Sequence, residues 1–522
     1  MVEPFLSNFK HLNFRLMKIN LKRISLLLVP ALMMLASCKK FLDVNQNPNQ
    51  ATDKNIPYRT LFTGALESAA EQQAGGPTFL MHWMGYWASP GDYAIDQSET
   101  TYNVPNSFTN GVWTSTYDLL FDLYQTKTKA LAEKDSVTAG CAMILSVRYF
   151  QDLVDIFGNV PYSQCFNSYR TPQPVYDKAE DIYKDLSKVL DTAVKYLKAN
   201  MNESQTAAFN KSDIATGGNL AKWNKLANTY RLRLCIRQSE VAGFNPAPEI
   251  AKVKANGGVL LAGESFSVNP GYTDADNKQS PFYGNFAYTP LGTGASATVR
   301  ANNYMADILF NSSDSRWLYY YRPISGNIVG CTYGLANGNP TGASSSIVGT
   351  GTARSATQNA WIYPSFESMF LRAEAIARGW YVDNLTNAKT AYEQAVTENY
   401  VWLNVTDAQE DAAWYLDGSQ NPDGAEIADF SNAGNTAASR AKFIAFQKYI
   451  ALNSIDVFEA WFDLNRLHMM PDNGYISVNP ARVSNTLPVR LVYPDIERRT
   501  NAANVSAQGN INIFNTKLFW QP

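Results

Sequence analysis

The sequence has little histidine, few charged residues and no cysteine pair at metal-ligand or redox spacing. Only 17% of its 522 residues are Asp, Glu, Lys or Arg, and the formal net charge is −2. A near-neutral chain without a basic patch has no electrostatic footprint for nucleic acid. Only His82 and His468 lie beyond residue 37, and the common zinc-protease, hydrolase, Walker A and dinucleotide motifs are missing. These absences argue against nucleic-acid binding and against the enzyme classes that depend on such motifs.

The cysteines after the N-terminal segment are widely spaced. They are Cys141, Cys165, Cys235 and Cys331. Because no C-x-x-C occurs and the chain is long, we expect no disulfide framework. Cys141 and Cys235 fall in helical patterns, where a free cysteine usually acts as a buried apolar residue.

One short acidic loop is the only hint of a metal site. Asp274 and Asp276 lie in a polar stretch that faintly resembles a calcium loop. The glycine and the distal glutamate of an EF-hand are missing. We therefore interpret the stretch as a solvated polar turn and expect no metal or other cofactor.

A secretory signal is the clearest feature that is present. An apolar run at residues 24–35 ends in Leu35-Ala36-Ser37-Cys38. The run is too short for a bilayer core, which takes roughly 20 apolar residues, but it suits a signal peptide. Three basic residues precede it: Lys18, Lys22 and Arg23.

Small residues followed by cysteine resemble a bacterial lipobox. We therefore predict a signal peptide at 1–37 with its true start at Met17, and lipidation of Cys38. The alternative is an ordinary signal peptide with a chance cysteine. Residues 38–57 are polar and read as a tether, and residues 58–522 form the predicted domain.

The domain is predicted to be mainly α-helical. The apolar side chains of a stripe from Met143 to Phe157 recur at steps of three and four, as on one helix face. Gly158 is placed to end that helix, Asp177 to cap the next, and Asn219 to begin a further one. One last long helix is predicted at 437–464.

Two further patterns define the architecture. The spacing of Ala388, Tyr392 and Ala395 matches half of a tetratricopeptide unit, with Tyr in place of Phe. Helical hairpins of this kind stack and present a surface to partners. Residues 257–363 are instead rich in Gly, Ser, Asn, Thr and Tyr, with one short helical run at 304–310. Because such long loops are usually functional, we expect a ligand-binding insertion there.

Aromatic clusters are the candidate ligand contacts. Flat rings pack against the apolar faces of sugars, and polar side chains satisfy the hydroxyls. Core packing is the alternative, especially for the first three residues, whose spacing suits one helix face. The candidates are Trp83, Tyr86, Trp87, Tyr93, Tyr283 and Tyr288.

Several stretches together resemble the SusD/RagB family, in particular its SusD-like outer-membrane nutrient-binding lipoproteins. They follow the family's order over nearly the whole mature chain. One is Asp155-Ile156-Phe157-Gly158-Asn159-Val160-Pro161-Tyr162, and another is Glu459-Ala460-Trp461. The remaining stretches are residues 37–43, 174–177, 219–233, 374–380, 493–494 and 501–505.

The resemblance implies a helical body with four tetratricopeptide-like hairpins and a less regular ligand-binding half. It also implies a non-catalytic lid that captures oligosaccharide for a TonB-dependent outer-membrane transporter, lipid-anchored and facing the cell exterior. Lys39 and Lys40 replace the acidic cluster expected for surface export. Three alternatives stay open: a peptide cargo, a lipid-anchored glycoside hydrolase with two unrecognised carboxylates, and a scaffold without a small ligand.

Overall fold

The computed structural model describes residues 56–167, 170–382 and 386–522. The predicted signal peptide and the predicted lipidation site, Cys38, lie outside these residues. Pro57–Pro522 is one compact unit. In the described part of the chain, no helix is long and apolar enough to cross a membrane.

Helices make up most of the regular structure. The helices up to residue 286 are α1 (Tyr58–Ala74), α2 (Thr78–Trp83), α3 (Gln97–Thr101), α4 (Asn110–Ala132), α5 (Ser136–Phe157), α6 (Ala179–Leu197), α7 (Glu203–Ser212), α8 (Leu220–Arg237), α9 (Ala247–Ala255) and α10 (Pro281–Phe286). Those that follow are α11 (Asn303–Asn311), α12 (Trp317–Tyr320), α13 (Ser365–Ala377), α14 (Ala388–Trp402), α15 (Ala408–Leu416), α16 (Ala425–Ala428), α17 (Ala437–Ala451), α18 (Val457–Leu467), α19 (Asp495–Thr500) and α20 (Ala502–Ser506).

The strands are short and pair two by two. All three pairs are antiparallel: β1 (Trp87–Ala88) with β5 (Arg300–Ala301), β2 (Val160–Pro161) with β3 (Tyr176–Asp177), and β4 (Phe266–Val268) with β6 (Ala360–Tyr363). They tie loops to the helical body rather than form a sheet of their own. The prediction of a mainly α-helical fold is confirmed.

Helical hairpins form the body. Helix α4 packs on α5, α5 on α6, and α13 on α14. At the start of α5, the Asp135 carboxylate accepts a hydrogen bond from the backbone N–H of Thr138 at 3.0 Å. At its end, Gly158 adopts φ +85°, and a Cβ there would lie 3.3 Å from the Arg490 guanidinium. The predicted stop at Gly158 therefore has both a conformational and a packing reason.

The prediction for the start of α6 is wrong. Lys178 occupies the N-cap position, and no side chain caps the helix. The Asp177 carboxylate instead accepts backbone hydrogen bonds from Tyr162 at 3.0 Å and Ser163 at 2.8 Å. The β2–β3 pairing draws Asp177 towards that loop. The predicted start at Asn219 is confirmed, because its side chain accepts a hydrogen bond from the N–H of Lys222 at 3.1 Å.

The single long helix predicted at 437–464 is two helices, α17 and α18. Ser454 between them adopts φ +64°, which an α-helix does not allow. Asp456 then caps α18 by accepting a hydrogen bond from the N–H of Glu459 at 3.2 Å. The apolar periodicity continues across the break at Ser454, so the sequence pattern does not reveal that the helix ends there.

A buried network of ion pairs joins the hairpins. Arg233 and Arg237 on α8 both donate to Glu459 on α18, at 2.9 and 2.5 Å. Lys448 on α17 lies 2.9 Å from the same carboxylate and 2.7 Å from Asp463. Each buried charge in this set therefore has an opposite charge beside it, as burial of ions requires.

The loop-rich segment is fastened to the hairpins by a second buried cluster. The fully buried Arg316 forms an ion pair with Asp314 at 2.6 Å. Its guanidinium also donates to Asn399 on α14 at 2.8 Å and to Gln447 on α17 at 3.2 Å. This cluster therefore fixes the loop-rich segment to α14 and α17.

Candidate ligand-binding site

The structure buries Trp83, Tyr86 and Trp87, which are 0%, 0% and 1% exposed. The Tyr86 ring stacks on Tyr449 with centroids 4.8 Å apart, and its hydroxyl donates to the Tyr449 carbonyl at 2.7 Å. The Nε1 of Trp87 donates to Ser454 Oγ at 2.8 Å. These residues offer no ring face to a ligand. All three belong to the core, which was the alternative interpretation of their spacing. The candidate site is built without them.

Burial gives Trp87 a supporting role. Its ring centroid lies 4.8 Å from that of Phe286 on α10. Phe282, one turn earlier on α10, packs 5.0 Å from Trp361 on β6. The buried face of α10 therefore rests on Trp87 and Trp361. This packing fixes the position of the residues on the outer side of the helix.

Tyr283 and Tyr288 form an aromatic pair on that outer side. Both are partly exposed, and their ring centroids are 6.4 Å apart with the planes inclined by 54°. A small hairpin follows α10, in which the N–H of Ala295 donates to the Ala287 carbonyl at 2.9 Å. Leu291, near the tip of this hairpin, is 89% exposed. Two sequence-predicted residues thus meet at one exposed edge of the insertion.

Arg322 covers part of this pair. Its guanidinium carbon lies 5.1 Å from the centroid of the Tyr288 ring, a cation–π distance. One guanidinium nitrogen donates to the Ala353 carbonyl at 3.4 Å. Within the described residues, the buried Nε of Arg322 has no hydrogen-bond partner. A ligand can therefore stack on at most one face of Tyr288, beside a guanidinium.

A polar cavity of about 540 Å³ lies on the other flank of α10. Carboxylates and amides line it together with one aromatic ring: Glu67, Glu71, Tyr272, Asn277, Gln279 and Asn285. The Tyr272 hydroxyl is buried and has no hydrogen-bond partner among the described residues. Burial and the neighbouring carboxylates of Glu67 and Glu71 raise the pKa of Tyr272. A neutral hydroxyl donor therefore sits unused at this cavity.

The cavity and the tyrosine pair flank one short helix. Pro281, Gly284 and Asn285 of α10 face the cavity, and Tyr283 projects from the same helix towards Tyr288. A helix with its side chains is about 10 Å across. Only an elongated ligand would touch both flanks. We call the two flanks together the α10 site.

Tyr93 belongs to a different loop. It is 48% exposed, and among the described rings it contacts neither Tyr283 nor Tyr288. The adjacent Asp92 carboxylate accepts a hydrogen bond from the N–H of Gly342 at 2.7 Å. Tyr93 therefore stays a separate candidate contact.

The acidic loop at 274–276 forms a turn. The Asp274 carboxylate accepts a hydrogen bond from Gln279 at 2.7 Å, and the N–H of Thr273 donates to the Lys278 carbonyl at 2.8 Å. In the part of the chain that the structure describes, no group of three or more His, Cys, Asp or Glu residues could hold a metal ion. Cys141 and Cys235 are buried free thiols, as predicted.

Sequence reasoning missed three parts of the α10 site: Arg322, Tyr272 and the Glu67–Glu71 pair. Glu67 and Glu71 stand four residues apart on α1, so both side chains share one face of that helix. That spacing was readable in the sequence. Nothing in the sequence placed this face against residues 270–285, which are some 200 residues away.

Comparison with known proteins decides the family. A family model described as "Starch-binding associating with outer membrane" matches residues 48–494. The chain belongs to the SusD-like family. No curated protein matches the chain.

Solved SusD-like structures share the fold. A chitin-binding SusD homolog from Flavobacterium johnsoniae is 23% identical with a TM-score of 0.70, and the alignment covers 88% of this chain and 98% of that one. A SusD-like protein from Bacteroides thetaiotaomicron is 22% identical with a TM-score of 0.69, covering 89% and 99%. A SusD homolog from Bacteroides vulgatus is 21% identical with a TM-score of 0.69, covering 88% and 97%. At these identities the likeness establishes the fold.

Proposed function

We propose that this SusD-like protein binds an oligosaccharide at the α10 site. The observation that carries the proposal is the partly exposed Tyr283–Tyr288 pair on one flank of α10, with a polar cavity on the other. Tyrosine rings offer flat apolar surfaces to the C–H faces of a sugar, and carboxylates and amides accept or donate hydrogen bonds to its hydroxyls. The family description, which names starch, supports this chemistry.

Isothermal titration with a panel of uncharged oligosaccharides tests the proposal. The panel contains maltoheptaose, because the family description names starch, and chitohexaose, because one structural relative is named as chitin-binding. Saturable binding of at least one glycan supports the proposal. If no glycan binds but members of a peptide library do, the cargo is peptide and the proposal is wrong. If neither class binds, the scaffold alternative is favoured.

We propose that binding leaves the glycan intact. The description of the SusD-like family names binding and association with a membrane. Stacking and hydrogen bonding at the α10 site are sufficient for binding and require no reaction. Incubation of the protein with the same glycans should release no new reducing ends. A time-dependent release would instead favour the glycoside hydrolase alternative. Glu67→Gln and Glu71→Gln would then show whether these two carboxylates carry the reaction.

We propose that the protein is anchored by an acyl group on Cys38 and faces the cell exterior. The lipobox-like sequence and the family's description as outer-membrane-associated support this. Metabolic labelling with a radioactive fatty acid should mark the unaltered protein and not Cys38→Ser. Protease added to intact cells should digest the labelled protein. An unlabelled protein in the culture medium would contradict the anchor.

We propose that the partner is a TonB-dependent outer-membrane transporter, which receives the bound glycan. The proposal rests on membership of the SusD-like family, whose helical hairpins present a broad surface for a partner. Affinity purification of the lipidated protein from membranes in mild detergent should retain a large β-barrel protein. Deletion of that barrel's gene should abolish glycan uptake without reducing glycan binding by the purified protein. Uptake that persists would contradict the partnership.

A further inference from the structure

A second cavity lies in the helical hairpins and shares no lining residue with the α10 site. It has a volume of about 520 Å³, which is within the usual range for small-molecule sites. It lies between α4, α5 and α6, and residues 162–167 close one side of it. Nothing in the proposed glycan binding uses this cavity.

Aromatic rings form the apolar wall of the cavity. The Phe166 ring lies 5.1 Å from Tyr124 on α4 and 6.3 Å from Phe150 on α5, measured between centroids. The Tyr162 ring meets Phe150 edge to face at 4.7 Å. These contacts hold the loop over the helices, so the wall is preformed.

Lys127 is the only cation in the lining of this cavity among the described residues. Its ammonium lies 5.1 Å from the centroid of the Tyr124 ring, and no carboxylate of the described residues lies within ion-pair distance of it. Burial lowers the pKa of Lys127. The Lys127 ammonium is therefore partly desolvated, and no carboxylate of the described residues compensates for the lost hydration.

Lys448, a fully buried lysine on α17, shows the usual way in which such a charge is balanced. It lies 2.7 Å from Asp463 and 2.9 Å from Glu459. Among the described residues that line the cavity, Asp185 is the one carboxylate, and it accepts a hydrogen bond from the Tyr162 hydroxyl at 2.6 Å instead of pairing with Lys127. An anionic ligand would take the place beside Lys127 that Asp463 and Glu459 take beside Lys448.

We propose that this cavity binds a carboxylate that carries an aromatic or bulky apolar group. The carboxylate pairs with the Lys127 ammonium, and the apolar group packs among Tyr124, Phe150 and Phe166. Two sources supply this chemistry: a free organic acid and the C-terminal residue of a polypeptide. The proposal is independent of glycan binding.

Calorimetry with matched ligands tests the proposal on the unaltered protein. We expect 3-phenylpropionate to bind saturably, and its neutral amide to bind at least about tenfold more weakly, because the amide cannot pair with the cation. A glycine- and serine-rich hexapeptide that ends in phenylalanine, with a free or an amidated C-terminus, provides the second comparison. If 3-phenylpropionate binds more tightly than the peptide with the free carboxyl group, the natural ligand is an organic acid. If that peptide binds more tightly than 3-phenylpropionate, the natural ligand is a polypeptide C-terminus.

Variants identify the cation. Lys127→Met should weaken binding of the carboxylate at least about tenfold, and Lys127→Arg should retain it, since the arginine keeps the charge. Lys195→Met, at an exposed position on α6, is the matched control and should bind as the unaltered protein does. Equal affinity for acid and amide would overturn the proposal. So would unchanged binding by a folded Lys127→Met protein or the absence of saturation with every ligand.

Discussion

The rings of Tyr283 and Tyr288 lie with their centroids 6.4 Å apart and their planes inclined by 54°. They are therefore two walls of a corner rather than one flat platform. A sugar ring that stacks on one of them meets the edge of the other. Because the two residues are joined through α10 and the hairpin that follows it, the corner is held by short-range structure on a helix whose buried face is fixed by the core.

Removal of either ring should weaken glycan binding. Tyr283→Ala and Tyr288→Ala should each lower the affinity about five- to tenfold, since a stacked ring contributes about 1 kcal/mol or somewhat more. Titration of the glycan that binds the unaltered protein provides the measurement. Trp414→Ala is the matched control, because Trp414 is 41% exposed but lies on α15. Unchanged affinity in both folded tyrosine variants would refute the choice of site while leaving the family intact.

Tyr272→Phe should change stability and binding in opposite directions. The Tyr272 hydroxyl is buried without a partner among the described residues, so its removal relieves a desolvation cost. We expect the free energy of unfolding to rise by up to about 1 kcal/mol. Glycan affinity should fall, because a ligand oxygen loses its donor. Thermal melting without ligand and calorimetry with ligand separate the two effects, and a variant that binds as tightly as the unaltered protein would show that the hydroxyl does not reach the glycan.

Glu374 should stop stabilising the protein in strong acid. Burial alone would raise its pKa, but the guanidiniums of Arg466 and Arg378 outweigh burial and lower the pKa of Glu374 to about 2. Its folded pKa is thus below the unfolded value of 4.5. The stabilisation is present above pH 4.5 and is lost as the pH falls through 2.

Denaturation of Glu374→Gln at several pH values checks this. At pH 7 the variant should lose about 3–5 kcal/mol, because Arg466 is left buried with one partner fewer. The difference from the unaltered protein should shrink between pH 4.5 and pH 2. Asp181→Asn is the control, since its ion pair with Lys184 is exposed, and such pairs contribute little. A pH-independent difference would contradict the assignment.

Glu367 should have the opposite pH dependence. Burial, and next the nearby Asp456, raise the pKa of Glu367 to about 8, although Arg148 acts against them. Both carboxyl oxygens are buried without a hydrogen-bond partner among the described residues. Between pH 4.5 and 8 the folded state holds a proton that the unfolded state has released, so stability falls as the pH rises through this window.

A neutral side chain at this position should remove that dependence. Relative to the unaltered protein, Glu367→Gln should gain stability steadily from pH 5 to pH 8, by about 1 kcal/mol or more in total. Chemical denaturation at pH 5, 6, 7 and 8 measures the gain. Parallel stability curves for the two proteins would show that Glu367 is ionised in the folded state throughout this range.

Local signals predicted the helices well and their junctions less well. Gly158 and Asn219 act as the sequence indicates, because a positive φ at a helix end and a side-chain cap at a helix start are decided by a few neighbouring residues. Asp177 does not cap α6, because it lies in β3, which pairs with β2, and its carboxylate binds the loop after β2. The corner at Ser454 was missed because apolar periodicity continues across it.

The sequence by itself determined the helical class, the near-neutral surface and the family, because composition, periodicity and ordered short motifs are local properties. Only the tertiary structure decided which aromatic rings meet solvent. Trp87 is buried by Ser454, and Tyr86 by Tyr449, partners 367 and 363 residues away. Tyr283 remains partly exposed because α10 turns Phe282 and Phe286 inwards. Exposure depends on such distant contacts, and residue spacing alone does not reveal them.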